Sequence, residues 1–343
     1  MPTRLSTRIP RTLTSLAQQD VERGGVELVV VADGPPPDRV TPLRSMRWPF
    51  PATVIEQAHG GLASARNRGA VEARGDRLVF IDDDVELPPG FLRSVNQLID
   101  DGADIVVPDI RVGPWVPETV PVREALRIHR EYEERRPTDA DVRFDDVVFA
   151  ATGIRRVWFD RVGGFDVSFT QGGAYGNEDV DLTYRLLREG AVARRMPAPV
   201  AYTDEPHELP RLLRRARLVG RNDVRLVRKH PELAAEVLGR KLVDSRIHRL
   251  VGTAVMALPG LASLDAPLRW TVAWFVHASD DGSLRFRLWF ALRALHYWRG
   301  VADAGGRPIV RAARASATAA LGTEGEDPSV PAPGRSDPTS GRS

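Results

Sequence analysis

The chain has 343 residues, 42% of them hydrophobic, with 48 lysines and arginines against 46 acids and no cysteine. That near balance gives no general reason to expect nucleic acid, and the missing cysteines exclude disulfides and zinc-thiolate sites, which fits a reducing compartment. No signal-peptide h-region is visible. The longest uncharged apolar run, Leu250 to Leu264, is broken by Pro259-Gly260 and falls short of the roughly 20 residues a spanning helix needs, so a transmembrane helix is not expected while membrane-surface contact stays open.

In chain order, Pro10 opens a predicted helix, PRTLTSLAQQ, with Ser6 or Thr7 as caps. VELVVVA, Val26 to Ala32, is a strand whose unbroken apolar run predicts cover on both faces, and it closes at Asp33-Gly34. TVIEQ follows as a short strand, and HGGLASARNRGAVEARG as a turn and a helix. RLVFI is a third strand, PPGFLRSVNQLIDDG a helix and ADIVVPDI a further strand. Strands alternating with amphipathic helices predict an α/β domain with a mostly parallel sheet over residues 1–208.

From Leu209 the composition changes. Residues 209–250 carry twelve basic against four acidic residues, and residues 250–303 hold four of the seven tryptophans (Trp270, Trp274, Trp289, Trp298). A basic, tryptophan-rich helical region is expected over 209–305. A Pro/Ser/Gly-rich end predicts a largely disordered tail over 306–343.

The chemistry-bearing stretch is FIDDDVELPPG. On a strand, Asp82 and Asp84 would share one side with Asp83 opposed, a spacing that suits a hard cation such as Mg²⁺ or Mn²⁺. The competing reading is an acidic surface turn. Asp33 also closes a buried strand, and open α/β sheets bind ligands at the carboxyl ends of their strands. Arg66 adds a cation that could meet a phosphate, or a solvated helix residue. In GGAYGNEDVDLTYRLLREG, Asn177 reads as an N-cap, and Glu178 and Asp179 as acids that suit a helix start. The glycines at 172, 173 and 176 point instead to carboxylates presented to a cleft. His207 and the arginines from 211 to 228 read as metal or phosphate ligands, or as the solvated side of an amphipathic helix. Further on, Arg285, Arg287, Arg293 and Arg299 interleave with Leu288, Leu292, Leu295 and Trp298, which suits either an interfacial or self-associating helix or one packed on the catalytic domain.

Together these motifs, in this order, resemble a family 2 glycosyltransferase of the inverting GT-A type from about Pro2 to Pro231. The carrying pieces are PTRLSTRIPRTLTSLAQQ, VVVADG, GGLASARNRGA, FIDDDVELPPGFL, VGGFD and GNEDVDLTYRLLREG, with the His207-plus-arginine segment. The resemblance implies that Pro2, Thr3 and Asp33 face the nucleotide and that Arg66 sits by its diphosphate. Asp82 to Asp84 match the DXD motif: Asp82 and Asp83 near ribose and phosphates, Asp84 the foremost metal ligand with Asp82 and His207. Asp179 matches the catalytic base, with Glu178 as the neighbouring alternative. Implied partners are a nucleotide-diphosphate sugar and a glycan, lipid-linked or small-molecule acceptor. Nucleic acid is not among them. The implied setting is cell-envelope or glycoconjugate biosynthesis in the cytoplasm, with peripheral membrane contact open.

The sequence departs from the family pattern twice. The apolar first strand is apparently missing, since the chain starts where that strand should end; its absence should leave strand edges unpaired in the core. VFAATGI also stands where many relatives carry an asparagine. Two rival readings follow. A nucleotidyltransferase would want a glycine-rich nucleotide loop that is not visible. A catalytically impaired, truncated paralogue would act as a membrane-surface or scaffold protein.

Overall fold

The computed structural model describes residues 1–3, 8–21, 25–34, 50–119, 141–204, 208–258 and 282–323, with a few isolated positions between them. Three parallel strands form one sheet in the order β1 (Pro2–Thr3), β2 (Leu28–Asp33), β3 (Ala52–Gln57). All six residues of β2 are buried, as its apolar run demands, and its register ends by pairing Asp33 with Gln57. The sheet therefore delivers Asp33 to its carboxyl edge with a polar neighbour beside it.

A second, mixed sheet has the order β4 (Arg77–Val79), β7 (Gly153–Arg155), β6 (Ile105–Val112), β8 (Ala193–Thr203), β5 (Val85–Glu86). Only β6 and β8 run parallel there; the other neighbours are antiparallel. The two sheets do not share a ladder. Between the edges of β2 and β4 lies a cavity of about 670 Å³, in line with the two-residue β1 and lined by Leu28, Val29, Leu78, Val79 and Ala70.

Helices α1 (Ile9–Ala17), α2 (Leu62–Glu72) and α3 (Phe91–Asp100) cover the strands. Leu13, Leu16, Phe91, Val95 and Ile99 pack with Val30 and Ala32 of β2 in one core. A second core, under α4 (Arg156–Arg161) and α5 (Glu178–Arg188), joins Phe80, Phe149, Phe159 and Phe165. Arg8, not Ser6 or Thr7, holds the N-cap position of α1 and makes no side-chain cap; Ser6 and Thr7 lie outside the described residues.

The C-terminal region is helical: α6 (Leu209–Lys229), α7 (Arg240–Asp244), α8 (Arg246–Ala257), α9 (Gly282–Asp303) and α10 (Arg307–Thr323). Its core of Leu213, Val224, Leu238, Leu292 and Trp298 continues onto α5 through Val180, Tyr184 and Leu187. Leu288, Leu292, Leu295 and Trp298 of α9 thus pack inward, chiefly against α6 and α8 of the same helical region. The expected tail from 306 needs correction, because residues 307–323 form α10 with Val310 and Ala313 buried. Averaging over the Pro/Ser-rich end hid an alanine-rich stretch of high helix propensity with its own apolar stripe. Residues from 324, Trp270 and Trp274 lie outside the described residues.

Candidate active site

Asp33 leaves β2 at 3% exposure and collects four donors. Its Oδ1 accepts from Gln57 Nε2 (2.8 Å) and the Gly60 amide (2.7 Å), and its Oδ2 pairs with His59 Nδ1 (2.7 Å) and accepts from the Gly61 amide (3.0 Å). Burial pushes this carboxyl up, but those hydrogen bonds outweigh it and hold the group below the usual carboxylate range. The carboxylate shapes the turn into α2. Gly61, at φ 89°, must be glycine there, since a Cβ would run into the Thr170 carbonyl oxygen.

The three aspartates do not lie on a strand. β4 ends at Val79, and the chain turns between Asp82 and Val85, whose amide donates to the Asp82 carbonyl (3.3 Å). The i, i+2 alternation expected for Asp82 and Asp84 therefore does not apply, and each side chain takes its own course. Asp82 Oδ1 accepts from Arg66 Nη2 (2.9 Å), and Asp83 Oδ2 accepts from the Thr3 hydroxyl (2.5 Å). Burial, then Asp82 and Asp83, push the Asp84 carboxyl up to about 6. The turn is short of positive charge.

Arg66 projects from α2 with its side chain only 1% exposed. Besides Asp82, it reaches Asp179 Oδ1 with Nη1 (2.7 Å) and lies 3.4 Å from Glu178 Oε1. Burial opposes its charge, yet Asp179, Asp82 and Glu178 together keep the guanidinium protonated. One cation thus faces three acids. Burial pushes Glu178 up to about 8, with Asp179 adding to the effect, and Glu178 Oε2 is buried without a hydrogen-bond partner. Asp179 is also pushed up, first by burial, and its Oδ2 accepts from the Phe149 amide (3.0 Å). With 15% of its side chain exposed against 6% for Glu178, Asp179 is the more open of the pair.

The structure thus brings together Thr3, Arg66, Asp82, Asp83, Glu178 and Asp179, and carries Asp84 on the same turn. Pro2 stands beside Thr3 in β1, paired with Val31. Asp33 sits on the same carboxyl edge but makes its bonds to the end of β3 and the turn into α2. His207 lies outside the described residues, and among those described no cluster of three or more His, Asp or Glu is placed to hold a metal. The donor set still fits a cation that takes one or two protein oxygens and fills its shell with substrate phosphate, because the charge crowding at Asp82–Asp84 is what such an ion relieves.

Two contributors could not be singled out in the sequence. The Phe149 amide aims Asp179, and no residue type reports a backbone donor. Arg215 of α6 stacks 4.4 Å above the Tyr175 ring; burial lowers its basicity, while Asp84 and Asp82 raise it. Nothing in the spacing separates it from the other arginines of α6. Of those, Arg217 and Arg221 pair with Asp303, and Arg228 with the Ala304 carbonyl, so they fasten α6 to the end of α9.

Residues 1–163 match the family described as Glycosyl transferase family 2. A pre-mycofactocin glycosyltransferase of Mycobacterium tuberculosis is 29% identical over 222 residues, covering 62% of this chain and 45% of that protein. A validoxylamine A glucosyltransferase of Streptomyces hygroscopicus subsp. jinggangensis is 28% identical over 271 residues, 67% of this chain and 59% of that one. The chain spans about half the length of these relatives. Among solved structures, the mannosyltransferase PcManGT from Pyrobaculum calidifontis, in complex with GDP-Man and Mn²⁺, superposes with a TM-score of 0.52 at 20% identity, covering 92% of this chain and 85% of that one. S. aureus TarS 1-349 gives 0.51 at 17% identity, with 92% and 90% covered. These likenesses establish the GT-A fold.

Proposed function

We propose that this chain, a member of glycosyl transferase family 2 through its residues 1–163, moves a sugar from a nucleotide-diphosphate sugar to an acceptor hydroxyl with inversion, using Asp179 as general base. The observation that carries this reading is the buried guanidinium of Arg66. It ties Asp82, on the turn suited to nucleotide and diphosphate, to Asp179, at the start of α5. Donor-side and acceptor-side carboxylates are thereby held one side chain apart.

The steps follow from the residues. Asp33, Pro2, Thr3 and Asp83 form the nucleotide end, and Arg66 and Arg215 bring positive charge toward the diphosphate. Asp179 is aimed by Arg66 and the Phe149 amide, and burial raises its basicity, which suits a proton acceptor. It takes the acceptor proton as the hydroxyl oxygen bonds to the anomeric carbon. The bond from that carbon to the diphosphate oxygen breaks in the same displacement, so the configuration inverts and no covalent nucleophile is needed. Glu178 has the less exposed side chain of the two, so an acceptor hydroxyl reaches it less readily, which makes it the poorer base. Mg²⁺ or Mn²⁺, held by Asp84 and Asp82 with His207 as a further ligand, would offset the charge of the departing diphosphate.

The acceptor is a glycan, a lipid-linked glycan or a small hydroxylated molecule, and the setting is cytoplasmic glycoconjugate or cell-envelope synthesis. Among the described residues no helix is long and apolar enough to cross a membrane. A thermal-shift series with UDP, GDP and dTDP, with and without Mn²⁺, tests the reading. One nucleotide should stabilise the protein by about 2–3 kcal/mol at 100-fold excess over its Kd, and only with the metal. No stabilisation by any of the three would overturn the assignment and favour a non-catalytic scaffold.

A further inference from the structure

The loop that ends in the candidate base is gripped from outside the family-matched segment. Residues 169–177 contain Gly172, Gly173 and Gly176, all at positive φ. They end in Asn177 at φ 71°, the one non-glycine residue in that region among those described. Expected to cap α5, Asn177 makes no side-chain cap; its amide Nδ2 donates instead to Asp223 Oδ1 on α6 (2.6 Å). The neighbouring Asn222 donates from Nδ2 to the carbonyls of Phe169 (2.7 Å) and Gly176 (2.6 Å), at the two ends of the same loop. Asn222 and Asp223 are each 3% exposed.

The other Asp223 oxygen accepts from Lys241 Nζ (3.2 Å) and from the Tyr297 hydroxyl of α9. Tyr297 is held at that height by backbone contact between helices. A Cβ on Gly220 would run into the Tyr297 carbonyl oxygen, and one on Gly300 into that of Arg217, so α6 and α9 approach as closely as glycine permits. Burying Asn222 and Asp223 is costly unless their polar atoms are bonded, and most of those bonds go to the loop.

We infer that the helical region acts on the chemistry through this clamp: Asn222 and Asp223 are positioning residues that set the loop before Glu178 and Asp179, and Tyr297 with Lys241 orients Asp223. The inference rests on the reading of Asp179 as base, and it gives the C-terminal helices a part in turnover that needs neither membrane nor acceptor contact.

The test compares Tyr297→Phe, Asp223→Asn and Asn177→Gly, the last keeping the left-handed backbone while deleting the amide. Amide hydrogen exchange over 169–177 and steady-state kinetics are measured on the full chain. Each variant should speed loop exchange and lower kcat by roughly 10- to 100-fold, with donor KM changed by less than about twofold. Asn177→Gly combined with Asp223→Asn should be little worse than Asp223→Asn alone, since Asp223 reaches the loop through the Asn177 amide. Unchanged loop exchange overturns the clamp. So does a loosened loop with unchanged kcat, or full additivity in the double variant. Tyr297→Phe removes a single hydroxyl, so it still decides the matter should Asp223→Asn fail to fold. A wild-type chain that transfers from no nucleotide sugar sinks the proposed function instead, and the exchange measurements then decide the clamp by themselves.

Discussion

Asp179 and Asp181 stand two residues apart on α5, and the helix turns them toward different surroundings. Asp181 is fully buried and completely paired: Arg185 Nε (2.9 Å) and Nη2 (2.8 Å) hold one oxygen, Lys229 Nζ (2.8 Å) and His230 Nε2 (2.9 Å) the other. Asp179 shares one guanidinium with Asp82 and Glu178 and keeps part of its side chain open to the cleft. A carboxylate with more cations than it needs serves as a structural pin. One that competes for a single cation is left basic and reactive, and that is the state a general base requires.

The sharpest way to break the comparison is to remove each charge. Asp179→Asn should cut transfer by roughly 10²- to 10⁴-fold while nucleotide binding, read by the same thermal shift, is retained. Equal loss of binding would take Asp179 out of the base role. Asp181→Ala should act on stability instead. It takes their shared carboxylate from Arg185, Lys229 and the buried His230, and a loss of about 1–3 kcal/mol in urea unfolding is expected, with turnover per folded molecule falling far less than in Asp179→Asn. A drop in turnover matching that of Asp179→Asn would erase the distinction between the two sites.

A smaller effect separates the helical region from the cleft by pH. His248 sits among Phe290, Tyr297 and Trp298, and burial, then Lys241 and Arg293, push it down to about 4. The unfolded chain binds that proton more readily, so the contribution is complete above pH 6.5 and is lost as pH falls toward 4. It amounts to about 2 kcal/mol by pH 5. Glu178 works in the opposite sense: its raised value favours the fold at low pH, an advantage lost as pH rises from 4.5 toward 8. His248→Gln should flatten the acid side of the stability profile and leave the alkaline side alone. An unchanged acid limb would show that His248 titrates normally.

Much of the fold was readable because its signals are local. The run LVVVAD could only be a strand covered on both faces, and FLRSVNQLID carries a 3.6-residue apolar stripe that packs as α3. The acids of the candidate site were readable by type and order. Their relations were not. Arg66 looked like a surface residue or a phosphate ligand, because nothing near it in the chain foretells Glu178 and Asp179, 112 and 113 residues further on. A separation of 46 residues likewise hid the bond from Asn177 to Asp223 and made a cap of a residue that reaches away from its helix.

By itself the sequence determined which segments become strands and helices, which carboxylates stand at the ends of strands and at a helix start, and the family whose pattern they match. Those follow from apolar periodicity and residue chemistry within short windows. The tertiary structure decided which carboxylate shares a cation and which has cations to spare, that the three aspartates turn rather than extend, and that residues 307–323 pack as a helix. It also decided that α6 and α9 hold the loop before Asp179. Charge balance and burial are set by neighbours far away in the chain, and only the folded packing brings those neighbours within a few ångströms.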